Sequence, residues 1–213
     1  MTDNLTNIHN NTEKYKSDFR HDELRYSKRN FWKGNAYIEG NYFVKDYSKN
    51  PFFSKIYGMI CIYQETSALK KLQGLKGIPS LHSKPSAFCY KMEFVPGTPL
   101  KDLQQGDISE KFFERLVSLF ESMHSRGVVH LDAHRRNILI HDDWPYLIDF
   151  STAYIKGRIP FLDPGLFNLL TLLDKERLYK IEKLFFNRGT PPEMFYIYKK
   201  IKNLRRKNGH KIH

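Results

Sequence analysis

Residues 128–151 read VVHLDAHRRNILIHDDWPYLIDFS, and how this stretch folds decides the reading of the whole chain. The runs Ile138 to Ile140 and Tyr146 to Ile148 are short, apolar and strand-like. Five turn-forming residues, HDDWP, separate them, so the spacing predicts an antiparallel hairpin. Asn137 precedes the first strand and Asp149 follows the second, which places both at the hairpin's open end. Neighbouring strands lie about 5 Å apart, close enough for two oxygen-bearing side chains to share one small cation. An amide oxygen and a single carboxylate suit Mg²⁺, which fills its remaining positions with water and substrate phosphate. Asp132, five residues before Asn137, lies in the loop leading into this site. It is placed to accept a proton from an attacking hydroxyl.

Upstream, Ser109 is an N-cap for a helix whose buried side is marked by Phe112, Phe113, Leu116, Val117, Leu119, Phe120 and Met123. Gly127 follows its end. Residues 87–95, AFCYKMEFV, read as a strand, and Pro96 and Gly97 break it at what looks like a lobe boundary. From about Ser54 to Gly74 the spacing is helical, and Glu65 falls within the apolar stripe of Cys61, Ala68, Leu69 and Leu72. A carboxylate in that stripe needs a partner. Residues 34–48, GNAYIEGNYFVKDYS, form a second hairpin around Glu39, Gly40 and Asn41. Strand alternation puts Lys45 on the face of Phe43 and Tyr47, with Tyr42 and Val44 on the other. Residues 1–27 hold four Asn in the first eleven positions and no periodicity, as a mobile polar tail would. Downstream, 161–188 read as helix, and Thr190, Pro191, Pro192 and Glu193 open a last helix with a capping box.

His130, Leu131, Asp132 and Asn137 fit H-x-D-x-x-x-x-N, and Asp149, Phe150 and Ser151 stand where Asp-Phe-Gly is usual; together they resemble the catalytic and metal loops of the protein-kinase-like phosphotransferases. The resemblance implies an α+β, two-lobed fold with a small antiparallel-sheet N-lobe (28–95) and a shortened helical C-lobe (96–213). It also implies ATP and Mg²⁺ as cofactors. By the same resemblance, Lys45 is the strand lysine that holds ATP phosphates, and Glu65 is its helix partner. The segment YKMEFVPGTPL looks like a hinge whose backbone, from Glu93 to Val95, binds adenine. Asp132 is then the residue that orients and deprotonates the acceptor, while Asn137 and Asp149 hold the metal. His134, followed by Arg135 and Arg136, stands where protein kinases often carry a lysine near the transferring phosphate.

Four departures from the pattern carry information. GNAYIEGN offers Gly34 and Gly40 without the glycine-rich spacing of a phosphate loop. Leu131 replaces an arginine that receives an activating phosphate in many protein kinases, so constitutive activity is the simpler expectation. Ser151 replaces a glycine, which predicts a metal loop that flips less readily. Only 62 residues follow Ser151, too few for a full peptide-gripping platform. Such shortened lobes are similar to those of the RIO-type atypical kinases and of the bacterial kinases that phosphorylate lipopolysaccharide inner-core sugars.

The 213 residues hold 35 Lys plus Arg against 23 Asp plus Glu, a net charge of +12 that favours anionic partners. Seven of those cations lie between Lys199 and His213, where no acid occurs. The composition excludes wholesale disorder, and no apolar stretch approaches the length of a membrane helix. Cys61 and Cys89 sit in apolar surroundings, as two buried thiols of a reducing cytoplasm would. The favoured acceptor is an inner-core sugar of an anionic glycolipid, met by a cytoplasmic enzyme peripheral to the inner membrane. The alternative is a RIO-like or tRNA-complex-associated serine/threonine protein kinase whose basic tail faces RNA. A third reading is an ATP-binding pseudokinase or nucleic-acid-binding module.

Overall fold

The computed structural model describes residues 34–157 and 163–189. The polar tail at 1–27, the helix opened by Thr190 and the basic run from Lys199 lie outside the described residues.

The first layer is an antiparallel sheet of four strands in the order β1-β2-β4-β3: β1 (Asn35–Glu39), β2 (Tyr42–Asp46), β3 (Leu81–Ser86) and β4 (Cys89–Glu93). The first hairpin turns at Gly40 and Asn41, with Glu39 opposite Tyr42 and Gly40 at φ 62°. In β2, Lys45 lies opposite Tyr90 of β4, between Phe43 and the buried Tyr47, as alternation predicts. β3 has no signal in the sequence reading. Its segment LHSKPS carries Pro85 and pairs with β4 through two register shifts, so it shows no clean period of two.

Helix α1 (Phe52–Lys71) crosses this sheet. It starts and stops two to three residues before the expected limits, and Gly74 takes its left-handed turn (φ 77°) after the helix has ended. Cys61, Glu65, Ala68, Leu69 and Leu72 are all buried, as the stripe requires. The approach is close at Gly58, where an added Cβ would stand 2.2 Å from the Tyr47 ring. This contact holds the helix where Glu65 can reach the sheet. The opposite face of α1 exposes Phe52, Phe53 and Ile60. Cys61 is buried and Cys89 only partly so, which corrects the reading of two buried thiols; both are free.

The second layer is built on α2 (Glu110–Ser125). The Ser109 hydroxyl accepts from the Phe112 N–H at 2.9 Å, the N-cap its position predicts. Phe112, Phe113, Leu116, Leu119, Phe120 and Met123 are buried, each contributing roughly 1.5–3 kcal/mol of apolar transfer. Val117 is only partly buried at the edge of this core. The core continues through α3 (Asp163–Phe186), which buries Ile181 and Phe185. Two short pairings complete the layer: β5 (Thr98–Pro99) on Leu139 and Ile140, and β6 (Val128–Val129) on β9 (Tyr154–Ile155).

The decisive hairpin is β7 (Ile138–His141) and β8 (Trp144–Leu147), with Ile138 opposite Leu147 and His141 opposite Trp144. Its turn therefore holds two residues where five were expected. Asp142 (φ 50°) and Asp143 (φ 54°) both adopt the left-handed conformation of a type I′ turn, which lets the strands pair out to the ends of HDDWP. The turn is anchored on α2, where Ser109 donates to Asp143 Oδ1 at 2.9 Å and Arg115 pairs with Asp143 Oδ2 at 2.8 Å. Lys76 and Arg115 both set a cation over the Trp144 ring. At Gly77 (φ 95°) any Cβ would come within 2.5 Å of the Pro145 carbonyl, and the Leu147 N–H donates to the Gly77 carbonyl. Glycine is thus required where the segment after α1 docks on the hairpin.

Candidate active site

Lys45 is the meeting point of the two layers. Its Nζ lies 3.0 Å from Glu65 Oε2 and 3.2 Å from Asp149 Oδ1. Glu65 is 1% exposed, so Lys45 is the partner its buried position demands. Burial would pull the Lys45 ammonium down, but the facing carboxylate of Glu65, with smaller help from Tyr90 and Asp149, holds its pKa well above the ordinary lysine value. Burial pushes the Glu65 carboxyl up, against the opposing pull of Lys45. Burial would also raise Asp149; the Lys45 charge and a hydrogen bond from Ser151 outweigh it and hold the carboxyl at about 2. Asp149 is therefore a carboxylate at any physiological pH. Tyr90, fully buried beside Glu65, was not anticipated from the sequence.

At the open end of the hairpin the Ile148 N–H donates to the Asn137 carbonyl at 3.0 Å, which sets Asn137 opposite Ile148. Unbroken alternation would send Asp149 to the face opposite Asn137. A left-handed φ of 61° at Asp149 breaks that alternation. Asn137 closes a turn with its N–H on the His134 carbonyl, and its Nδ2 donates to the Asp132 carbonyl at 3.0 Å. The amide oxygen is the end left for a cation. The Asp132 side chain is 44% exposed, and His134 Nε2 stands 3.6 Å from its Oδ2, too far for a hydrogen bond. Arg135 and Arg136 are the exposed corners of that turn. The Asn137 amide oxygen and the ionised, lysine-paired carboxylate of Asp149 are donor types suited to Mg²⁺. Among the described residues there is no group of three or more His, Cys, Asp and Glu that could hold a metal ion.

The expected hinge is narrower than the sequence implied. The Glu93 N–H is bound to the Ser80 carbonyl and the Phe94 N–H to the Asn41 carbonyl, both at 2.9 Å. Of the three amides, only that of Val95 has no partner among the described hydrogen bonds. Its position reflects the β1–β2 turn reaching over the strand end.

Asp174 was missed altogether. It is 0% exposed on α3, and its carboxylate accepts from the His130 N–H at 2.9 Å and the Leu131 N–H at 3.1 Å, with His124 Nε2 at 2.9 Å. Leu131 has φ 65°, a conformation costly for a branched residue, and these bonds hold it. His130 lies in the same device: its Nε2 donates to the Ile148 carbonyl at 3.0 Å and its ring packs on Phe150. That ties the loop of residues 130–137 to the loop of residues 149–151 and gives His130 a structural part. The signal for Asp174 was the one used for Glu65, a lone carboxylate in line with Phe167, Ile181 and Phe185 on a helix.

An antiparallel sheet carrying a buried lysine–glutamate pair, set over a helical layer whose loops supply Asp132, Asn137 and Asp149, defines a protein-kinase-like fold. Residues 24–158 match the RIO domain, and the chain belongs to that family. The fold is shared with the Rio2 kinase from Chaetomium thermophilum (TM-score 0.56, 15% identity, 75% of this chain and 56% of that one). It is shared equally with that kinase's ADP/Mg²⁺-phosphoaspartate complex (TM-score 0.55, 14% identity, 75% of this chain and 55% of that one). In sequence, the chain is 42% identical over 72 residues to a probable bifunctional tRNA threonylcarbamoyladenosine biosynthesis protein of Methanosarcina acetivorans. It is 40% identical over 67 residues to the protein so described from Methanosarcina barkeri. The matches cover 34% and 32% of this chain but only 12% of either relative. No helix among the described residues is long and apolar enough to cross a membrane.

Proposed function

We propose that this chain is an ATP- and Mg²⁺-dependent phosphotransferase of the RIO type whose acceptor is a protein hydroxyl within a tRNA-modifying assembly. The observation that carries the activity is the Lys45 bridge from Glu65 to Asp149, beside a loop that presents Asp132 and Asn137. The relatives named above support the protein-kinase alternative over the sugar-lipid acceptor, and a tRNA assembly over a membrane surface as the partner.

Lys45, oriented by Glu65, would hold phosphate oxygens. The Asn137 amide oxygen and Asp149 would hold Mg²⁺, and the Val95 N–H with the Glu93 carbonyl would hold adenine. Bound Mg²⁺–ATP supplies the transferable phosphoryl group and the charge that screens it. Asp132 would orient the acceptor hydroxyl and take its proton as the new P–O bond forms and the bond to the departing ADP breaks. Arg135 and Arg136 would add positive charge on the acceptor side, where the transferring group would gather negative charge, with His134 beside Asp132 in the same turn.

Labelled ATP incubated with a protein acceptor, with purified glycolipid and with neither tests the assignment. Label enters the protein acceptor, and Asp132→Asn lowers that transfer by about 10²-fold or more while nucleotide still binds. Label in glycolipid alone refutes the acceptor. Unchanged transfer by Asp132→Asn refutes the role of Asp132.

A further inference from the structure

The metal loop carries a hydroxyl that the proposed chemistry leaves unused. Ser151 Oγ donates to Asp149 Oδ1 at 2.7 Å, and the same oxygen receives Lys45 Nζ at 3.2 Å. Asp149 Oδ2 has no described donor. The left-handed turn of this loop falls on Asp149, not on Ser151, so the backbone leaves position 151 free to carry a side chain. The neighbouring residues are tied as well: Thr152 Oγ1 donates to the His130 carbonyl at 3.4 Å, and Gln64 Nε2 donates to the Ala153 carbonyl. The two residues that follow Ser151 are thus anchored while its hydroxyl grips one oxygen of the carboxylate.

We propose that Ser151 is a positioning residue that keeps Asp149 monodentate toward a cation, so that the site selects a small octahedral ion over a larger one. Mg²⁺ demands near-ideal octahedral geometry at about 2.0–2.1 Å, whereas Ca²⁺ accepts bidentate carboxylates at about 2.3–2.6 Å. A hydrogen bond from Ser151 on Oδ1 competes with that oxygen's use as a second ligand and so disfavours bidentate binding. The inference rests on the phosphotransfer reading at one point. When nucleotide phosphates draw Lys45 toward themselves, Ser151 becomes the donor that remains on Oδ1.

The test is nucleotide affinity, measured by titration with a fluorescent ADP, in Mg²⁺, in Ca²⁺ and in chelator. The full chain is compared with Ser151→Ala, Ser151→Gly and Ser151→Thr. The parent binds more tightly with Mg²⁺ than with Ca²⁺. The alanine and glycine variants lower that Mg²⁺-to-Ca²⁺ ratio about five- to tenfold, the net scale of one hydrogen bond, and threonine restores it. Using a ratio within each protein removes any general loss of folded fraction. An identical ratio in parent, alanine and threonine variants overturns the proposal. A fall in threonine equal to that in alanine also overturns it, because loop packing rather than the hydroxyl would then be responsible. Absence of cation-dependent nucleotide binding in the parent removes the phosphotransfer reading itself, and this inference with it.

Discussion

Asp174→Ala tests whether the loop of residues 130–137 is held by a carboxylate more than forty residues away in sequence. The carboxylate is fully buried and accepts from the amides of His130 and Leu131, with His124 beside it. Alanine leaves two amide donors without an acceptor. Each costs about 1–3 kcal/mol, so the loss is about 2–6 kcal/mol before the freed left-handed Leu131 is considered. For a chain of this size that corresponds to a fall in Tm of roughly 5–20 °C. Asp174→Asn keeps one carbonyl oxygen and turns an amide group toward an N–H, so its loss falls between parent and alanine. Thermal unfolding followed by circular dichroism reads the stability. Hydrogen exchange at residues 130 and 131 reads the local effect, with protection lost in the alanine variant. A Tm within about 2 °C of the parent, with both amides still protected, refutes the reasoning, because unpaired buried donors must weaken the fold.

Three further outcomes follow from particular contacts. The Asp149 carboxyl lies at about 2 against an ordinary 3.8, so its ionisation contributes stability that is complete above pH 3.8 and lost as the pH falls through 2; Asp149→Asn flattens the acid limb of a stability-against-pH curve over that interval. Asp142 is 90% exposed and left-handed (φ 50°), so Asp142→Gly relieves backbone strain and raises stability in urea unfolding by about 0.5–1 kcal/mol. Glu65→Gln keeps the shape of the Lys45 partner but removes its charge, and nucleotide affinity by isothermal titration falls about tenfold, the scale of a charge-assisted hydrogen bond.

Much of the site was legible because its signals are local. The spacing of His130, Asp132, Asn137 and Asp149 lies within twenty residues, and the hairpin between them follows from two apolar runs and a turn. Ser109 and the stripe behind it identified α2 from a cap and a 3.6-residue period. Glu65 was legible for a related reason: a carboxylate on a buried stripe needs a partner, and the resemblance to the protein-kinase-like phosphotransferases implied Lys45 as that partner.

What remained hidden depended on groups distant in sequence. β3 becomes a strand because β4 offers it an edge, through shifts that erase any alternation in LHSKPS. The amides of Glu93 and Phe94 are closed by Ser80 and Asn41, which no local pattern could announce. The length of the β7–β8 turn was misread because two aspartates adopt a conformation that glycine and asparagine usually signal. The sequence by itself determined which residues could bear the chemistry and which helices and hairpins would present them, since periodicity, caps and motif spacing act over a few residues. Only the tertiary structure decided that Asp174 holds the loop of residues 130–137, that Lys45 bridges two carboxylates and that Ser151 grips one of them. Those choices are made by burial, where every charge and amide must find a partner and the partner comes from wherever the fold brings one.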